Sequence, residues 1–159
     1  MDSFIFLFCF AITLHNIEEA IWLPKWSQQP SKFQKSVTAG EFHFAVIVIT
    51  TLAYLSAFYY LSVPKSNLAK WIFIGFLGSM ILNAIFPHVI ATIALKKYAP
   101  GLVTGIMLNI PINSLIILRF FENHQLAWEE LIFSTMTVGI TLLVLIPLLF
   151  KVGRKITTL

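Results

Sequence analysis

Apolar residues fill five long segments of the chain, and each segment has about the length of a helix that crosses a membrane. A helix needs roughly 20 mainly apolar residues to span the hydrocarbon core of a bilayer. The polar stretches between the segments are short, except residues 24–41, which we predict to be a surface loop. The pattern predicts one all-α domain over 1–159, a bundle of five transmembrane helices. Its predicted spans are about 3–23, 42–63, 71–95, 101–121 and 131–150.

The composition excludes a water-soluble domain. Charged residues make up 11% of the chain and hydrophobic residues 58%, whereas about 25% of a typical soluble domain is charged. The net charge of +4 could indicate a nucleic-acid partner. The basic residues lie in the short gaps between apolar runs and at the C-terminus, so they form no basic helix face. We therefore expect membrane lipids, and no nucleic acid, around the protein.

The distribution of lysine and arginine predicts the orientation, because these residues are enriched in cytoplasmic loops. With five spans, the two termini lie on opposite faces of the membrane. The face of the N-terminus has three basic residues, Lys65, Lys70 and Arg119. The other face has eight, Lys25, Lys32, Lys35, Lys96, Lys97, Lys151, Arg154 and Lys155. We predict a cell-membrane protein with its N-terminus outside and its C-terminus in the cytoplasm.

The first span carries three ionisable side chains where a membrane helix should be apolar. His15, Glu18 and Glu19 follow the i, i+3, i+4 spacing that places residues on one helix face. An ionised group near the membrane centre costs roughly 2.5–3.5 kcal/mol on insertion scales, so this face needs a cation, a shared proton or a water-filled cavity. Histidine and glutamate are ligands of zinc. One glutamate could bind a divalent metal while the other acts as general base.

Polar residues of three further spans are predicted at a similar depth. His88 lies eight residues before Lys96, or about 12 Å inside the membrane at 1.5 Å per residue. Pro87, just before it, predicts a kink in the third span. The predicted metal ligands are His15, Glu18, Glu19, His88, Glu41 and His43. The predicted pocket residues are Asn83, Tyr98, Asn109 and Asn113.

Two of these predicted ligands carry a geometric restriction. Glu41 and His43 are two residues apart, so on a helix they point in nearly opposite directions and at most one should face the cluster. Glu41 also lies near the start of the second span, where an acidic residue favours the helix dipole. A purely structural role for either residue therefore stays open.

Two short motifs resemble those of a known family. The stretch HNIEEA, with a later histidine at position 88 and then YAPG at Tyr98–Gly101, is similar to the HXXEE family of small membrane proteins. The resemblance covers most of the chain and implies a metal-dependent integral membrane hydrolase. It marks His15, Glu18, Glu19, His88 and Tyr98–Gly101, and it implies no substrate.

The residues and the resemblance together lead to one main expectation and two alternatives. We expect a membrane hydrolase that holds a divalent metal, Zn²⁺ by ligand type, and acts on an apolar or lipid-like substrate near the cytoplasmic leaflet. An ion- or proton-coupled transporter could use the same cluster. Five spans form no even inverted repeat in one chain, which argues against a transporter, although a homodimer could supply the repeat. A non-catalytic membrane binding protein is the third possibility.

Overall fold

The computed structural model describes residues 2–28 and 36–157, and within them the chain is helical apart from short connections. Five helices are long and apolar enough to cross a membrane, which confirms the predicted bundle. The helices are α1 (Asp2–Ser27), α2 (Ala39–Ser62), α3 (Asn67–Asn83), α4 (Ile90–Leu95), α5 (Leu102–Thr104), α6 (Ile110–Glu122) and α7 (Trp128–Thr157). Two π-helical segments, Ala84–Val89 and Gly105–Asn109, join α3 to α4 and α5 to α6. The third and fourth spans are therefore composite, Asn67–Leu95 and Leu102–Glu122.

Two helices run further than the apolar pattern predicts, and the predicted loop is shorter. Helix α1 continues through Pro24 to Ser27, and α7 continues through Pro147 to Thr157. Helix α2 begins at Ala39, where Thr38 and Glu41 form a capping box. Residues 29–35, which include two lysines of the charge count, Lys32 and Lys35, lie outside the described residues.

Aromatic side chains fill the end of the bundle that holds the N-terminus. The rings of Phe8 and Phe73 meet edge to face with centroids 5.3 Å apart. Tyr60 stacks on Phe73 at 5.4 Å and meets Phe120 at 5.5 Å. Phe8, Phe73 and Phe120 are fully buried. Burial of such large apolar side chains gives this end of the bundle an aromatic core.

Glycines allow the third span to pack closely on α7. A Cβ added to Gly78 would lie 1.9 Å from Thr135 Oγ1, and one added to Gly75 would lie 2.7 Å from the Ser134 carbonyl oxygen. Small residues permit such backbone approach between membrane helices. This contact fixes α3 in the bundle, so that its C-terminal end, which carries Asn83, has a defined position.

The third span breaks where proline predicts a kink. Phe86 has φ −122° and ψ 118° inside the segment Ala84–Val89, because a residue before proline is disfavoured in helical conformation. The Phe86–Pro87 peptide bond is cis. After the break the chain returns to helix, and His88 is buried at 2% exposure. The two π-helical segments pack against each other, and both border the polar cluster described next.

Candidate metal centre

Two histidines and one glutamate converge at the polar end of the bundle. His88 Nε2 lies 3.1 Å from Glu19 Oε1, and His15 Nε2 lies 3.9 Å from the same oxygen. One ligand atom from each of the three residues falls within 4.8 Å of the others. His15 is completely buried and the Glu19 side chain is 14% exposed. These three residues are called the His–Glu–His cluster below.

The donor atoms of the His–Glu–His cluster fit a divalent metal. Bonds of about 2.0–2.2 Å to tetrahedral zinc imply ligand atoms roughly 3.3–3.6 Å apart, which lies between the two measured separations from Glu19 Oε1. Asn83 Nδ2 lies 3.2 Å from His15 Nε2 and 3.4 Å from His88 Nε2. Both Nε2 atoms therefore face the same small space. Two imidazoles with one carboxylate are also a ligand set of known catalytic zinc sites.

Glu18, the other carboxylate of the HxxEE motif, is fully engaged elsewhere. Its Oε1 accepts hydrogen bonds from the Gly101 N–H at 2.7 Å and from the Tyr98 hydroxyl. Its Oε2 accepts from the Thr104 N–H at 3.0 Å and the Thr104 hydroxyl at 2.6 Å. Four donors match the roughly four lone-pair positions of a carboxylate. Glu18 therefore has no free position for a metal in this arrangement.

Two of the four donors of Glu18 are the N–H groups of Gly101 and Thr104, at the start of the fourth span. The first N–H groups of a helix have no partner within it, and a side chain of the residue at the cap usually accepts from them. Here that residue is Gly101, which has no side chain and makes no such bond. Glu18 supplies the cap from α1 instead, where its negative charge also favours the helix N-terminus.

The glycine of the YAPG motif is required by conformation and by space. Gly101 has φ +93°, which L-residues with a side chain rarely adopt. A Cβ at this position would lie 2.6 Å from His88 Cε1. The turn therefore presses directly against the ring of His88. This contact links the YAPG motif to the His–Glu–His cluster, and Glu18 links the same motif to HxxEE.

Tyr98 reaches Glu18 from the connection between the third and fourth spans. Burial, and then the hydrogen bond that its hydroxyl donates to Glu18, raise the pKa of Tyr98 to about 12 from an ordinary value of 10.0. The phenol is consequently neutral at physiological pH and acts as a donor. Burial is the larger cause of the raised pKa of Tyr98, and the hydrogen bond to the Glu18 carboxylate adds to it.

Four other predicted site residues form no hydrogen bond or ion pair with the His–Glu–His cluster in the described part of the chain. Glu41 caps α2 and forms an ion pair with Arg154 of α7. His43 Nε2 is 2.9 Å from the carbonyl oxygen of Ala20. Asn109 and Asn113 are buried, and their side-chain amides have no hydrogen-bond partner among the described residues. Of the predicted pocket residues, Asn83 alone contacts both histidines.

Thr104 is a residue of the candidate site that the sequence did not predict. Its Oγ1 lies 3.0 Å from His15 Nδ1 and also bonds Glu18. The available signal was its position three residues after Gly101, in the first turn of the fourth span. Thr104 joins the first histidine of the motif to the glutamate that follows it by three residues.

An apolar groove runs along the C-terminal end of the third span and reaches His88. It has a volume of about 340 Å³ and lies between the end of α1 and α4. His88 is the one ionisable residue among the described residues that line it. The others are Leu23, Trp26, Phe86, Pro87, Ile90, Ala91, Ala94, Leu95, Ala99 and Pro100. The groove therefore borders one ring of the His–Glu–His cluster.

Comparison with known proteins places both motifs in one family. The family model described as "Protein of unknown function with HXXEE motif" matches residues 6–117. The chain belongs to the HXXEE family. This confirms the resemblance drawn from HNIEEA, His88 and YAPG. An HXXEE relative of Bacillus subtilis (strain 168), "Uncharacterized protein YrkK", is 71% identical over 157 residues, covering 99% of each chain. No solved structure matches.

Proposed function

We propose that the chain is an integral membrane hydrolase that binds a divalent metal, Zn²⁺ by ligand type, through His15, Glu19 and His88. The observation that carries the proposal is the convergence of their three ligand atoms within 4.8 Å, inside a mainly apolar bundle. A structural ion pair would require only one histidine and one carboxylate. Three converging donors, with a second imidazole brought in by a broken helix, suit a metal better.

The ligand assignment separates the two glutamates of the motif. Glu19 points into the His–Glu–His cluster, whereas Glu18 is held by four donors at the start of the fourth span. We therefore assign metal binding and proton transfer to Glu19, and a structural task to Glu18. A metal bound there would lower the pKa of its water toward about 7. His15, Glu19 and His88 would hold that metal, and His88 also lines the groove.

The groove supports an apolar or lipid-like substrate. Its volume of about 340 Å³ lies at the lower end of the 300–1,000 Å³ typical of ligand sites, which suits one chain better than two. Lys25 and Lys96 directly adjoin its lining residues Trp26 and Leu95 along the chain. With the orientation that the charge distribution favours, the groove faces the cytoplasmic leaflet.

The metal assignment is tested by elemental analysis of the detergent-purified protein. We expect near-stoichiometric metal in the parent chain and its loss in His88→Ala. The matched control is His43→Ala, because His43 is also a histidine of a membrane span but bonds a backbone carbonyl instead. Parent protein that folds yet takes up no Zn²⁺, Fe²⁺ or Mn²⁺ would refute the proposal. Loss of metal in His43→Ala alone would refute the ligand assignment.

The substrate assignment is tested with p-nitrophenyl esters of increasing acyl length in detergent micelles. Ala91→Phe narrows the groove, so we expect a higher KM for long-chain esters and little change for the acetyl ester. Ile93→Phe is the control because Ile93 is 71% exposed on the same helix and is not part of the groove. Equal effects of the two variants, or no dependence on chain length, would separate the groove from the reaction.

A further inference from the structure

We propose that Glu18, acting through the hydroxyl of Thr104, fixes the tautomer of His15 so that its Nε2 lone pair points into the His–Glu–His cluster. The use of this tautomer in metal binding rests on the proposed function. Its physical content, the position of one proton on His15, holds for the metal-free protein. Glu18 and Thr104 would then be positioning residues that act on a metal ligand without touching the metal.

The argument begins with the single proton of a threonine hydroxyl. A hydroxyl can donate one hydrogen bond and accept two. Thr104 Oγ1 lies 2.6 Å from Glu18 Oε2 and donates to it, because a carboxylate oxygen can only accept. The hydroxyl has then no second proton for His15. At 3.0 Å from His15 Nδ1, it can only accept, so Nδ1 must carry the imidazole proton.

The proton on Nδ1 leaves Nε2 of the neutral ring with its lone pair. The surroundings of Nε2 agree with that assignment. Asn83 Nδ2, an amide donor, lies 3.2 Å from it, whereas the one nearby carboxylate oxygen, Glu19 Oε1, is 3.9 Å away. A proton on Nε2 would point at another donor, Asn83 Nδ2, and would be too far from the acceptor, Glu19 Oε1, for a hydrogen bond. Thr104, Asn83 and Glu19 therefore favour the same tautomer, and the His15 ring also has a hydrogen bond with the backbone of Gly101.

A metal ligand needs this outcome, because histidine binds through an unprotonated nitrogen. The second ring nitrogen of such histidines normally donates to a carboxylate, a carbonyl or water, which fixes the ring. Here a hydroxyl stands between the imidazole and the carboxylate. Glu18 accepts hydrogen bonds from both the N–H and the hydroxyl of Thr104. The same side chain therefore also fixes the start of the fourth span, which carries Thr104.

The first experiment uses the unmodified chain without metal. Protein labelled with ¹⁵N only in histidine, in detergent micelles, reports by NMR which ring nitrogen carries the proton, and His15→Gln assigns the His15 signals. We expect a neutral His15 protonated at Nδ1. A proton on Nε2 in the metal-free parent would overturn the inference, whatever the protein does with metals.

The second experiment alters the threonine. Thr104→Val has nearly the same shape but no hydroxyl, so we expect a mixture of His15 tautomers and a metal Kd raised about 10–100-fold, the usual effect of losing such a partner. Thr104→Ser keeps the hydroxyl and should restore the parent tautomer and a Kd within a few-fold of the parent. Thr51→Val is the matched control, because the Thr51 hydroxyl bonds only a carbonyl of its own helix at 2.8 Å.

The outcomes keep the inference separate from the proposed function. A parent that binds no metal but shows the Nδ1 proton, lost in Thr104→Val, supports the inference while the metal proposal fails. A parent that binds Zn²⁺ while Thr104→Val leaves both tautomer and Kd unchanged overturns the inference and leaves the metal proposal in place. If Thr104→Val does not fold, the parent spectrum and Thr104→Ser decide.

Discussion

Two sets of buried polar groups in the same bundle differ in whether they have hydrogen-bond partners. Glu18 meets four donors. The amides of Asn109 and Asn113, exposed at 1% and 0%, have no partner among the described residues. A buried polar atom without a partner costs about 1–3 kcal/mol. The comparison teaches that burial alone does not distinguish a polar group with a full set of partners from one without any.

The largest effect on stability is expected when the Glu18 carboxylate is removed. Glu18→Ala leaves the Gly101 and Thr104 N–H groups and two hydroxyls without their acceptor. We expect a loss of about 3 kcal/mol or more in unfolding free energy, measured by thermal or denaturant unfolding in detergent. Glu122→Ala is the control, because that carboxylate is exposed and pairs with Arg119 at the surface, where a pair is worth about 0–1 kcal/mol. Equal losses would mean that the four bonds contribute little.

The next largest effect is expected at the turn that presses on His88. Gly101→Ala forces a positive φ on alanine, at about 1–2 kcal/mol, and drives its Cβ into the His88 ring. We expect a combined loss of about 2 kcal/mol or more and weaker metal binding. Gly139→Ala is the control, since its Cβ would lie 3.4 Å from Ser79 Oγ and alanine favours the helix. A Gly101→Ala variant with parent stability and metal content would contradict the packing described.

Removal of a buried amide that has no partner should not lower the stability of the protein. Asn113→Leu replaces a buried amide with an apolar group of similar size, so we expect unchanged stability or a gain of about 1–3 kcal/mol, read from the unfolding midpoint. Asn83→Leu makes the same exchange at a residue that contacts both histidines, so its metal affinity should fall. A large loss of stability in Asn113→Leu would show that the amide has a partner in the membrane-embedded protein.

The smallest expected effect concerns the phenol that bonds Glu18. Tyr98→Phe should lower the unfolding free energy by about 1 kcal/mol. Because folding raises the pKa of Tyr98 from 10.0 to about 12, this contribution should be complete below pH 10 and lost as pH rises through 12. Unfolding curves of parent and variant at pH 7 and above pH 11 measure it. A difference that grows with pH would contradict the sign. Tyr54→Phe removes a hydroxyl bonded to Thr13 and is the control.

The apolar pattern and simple helix geometry were sufficient for much of the fold. They predict five spans, the shared face of His15 and Glu19, and the break at Pro87. The capping box of Thr38 and Glu41 is also readable as the spacing S/T-x-x-E. The pattern does not predict the extra turn of α1 beyond Pro24, because a proline near the end of an apolar run favours a helix end there.

The division of labour between Glu18 and Glu19 could not be predicted from spacing. Residues at i+3 and i+4 face the same side of a helix, so periodicity treats the two carboxylates as equal. What separates them is the start of the fourth span, 83 and 86 residues further along the chain at Gly101 and Thr104. Its position depends on the packing of other helices, which a local pattern does not contain.

The bond between Glu18 and the fourth span also imposes an order on biosynthesis. A ribosome makes Glu18 long before it makes Gly101 and Thr104, its partners 83 and 86 residues later. The first helix therefore emerges with a carboxylate whose acceptor capacity no later helix can yet fill. Water, lipid headgroups or the insertion machinery must accommodate that group until most of the protein has been synthesised. The carboxylate that stabilises the finished bundle thus destabilises the earliest intermediate, in which its partners do not yet exist.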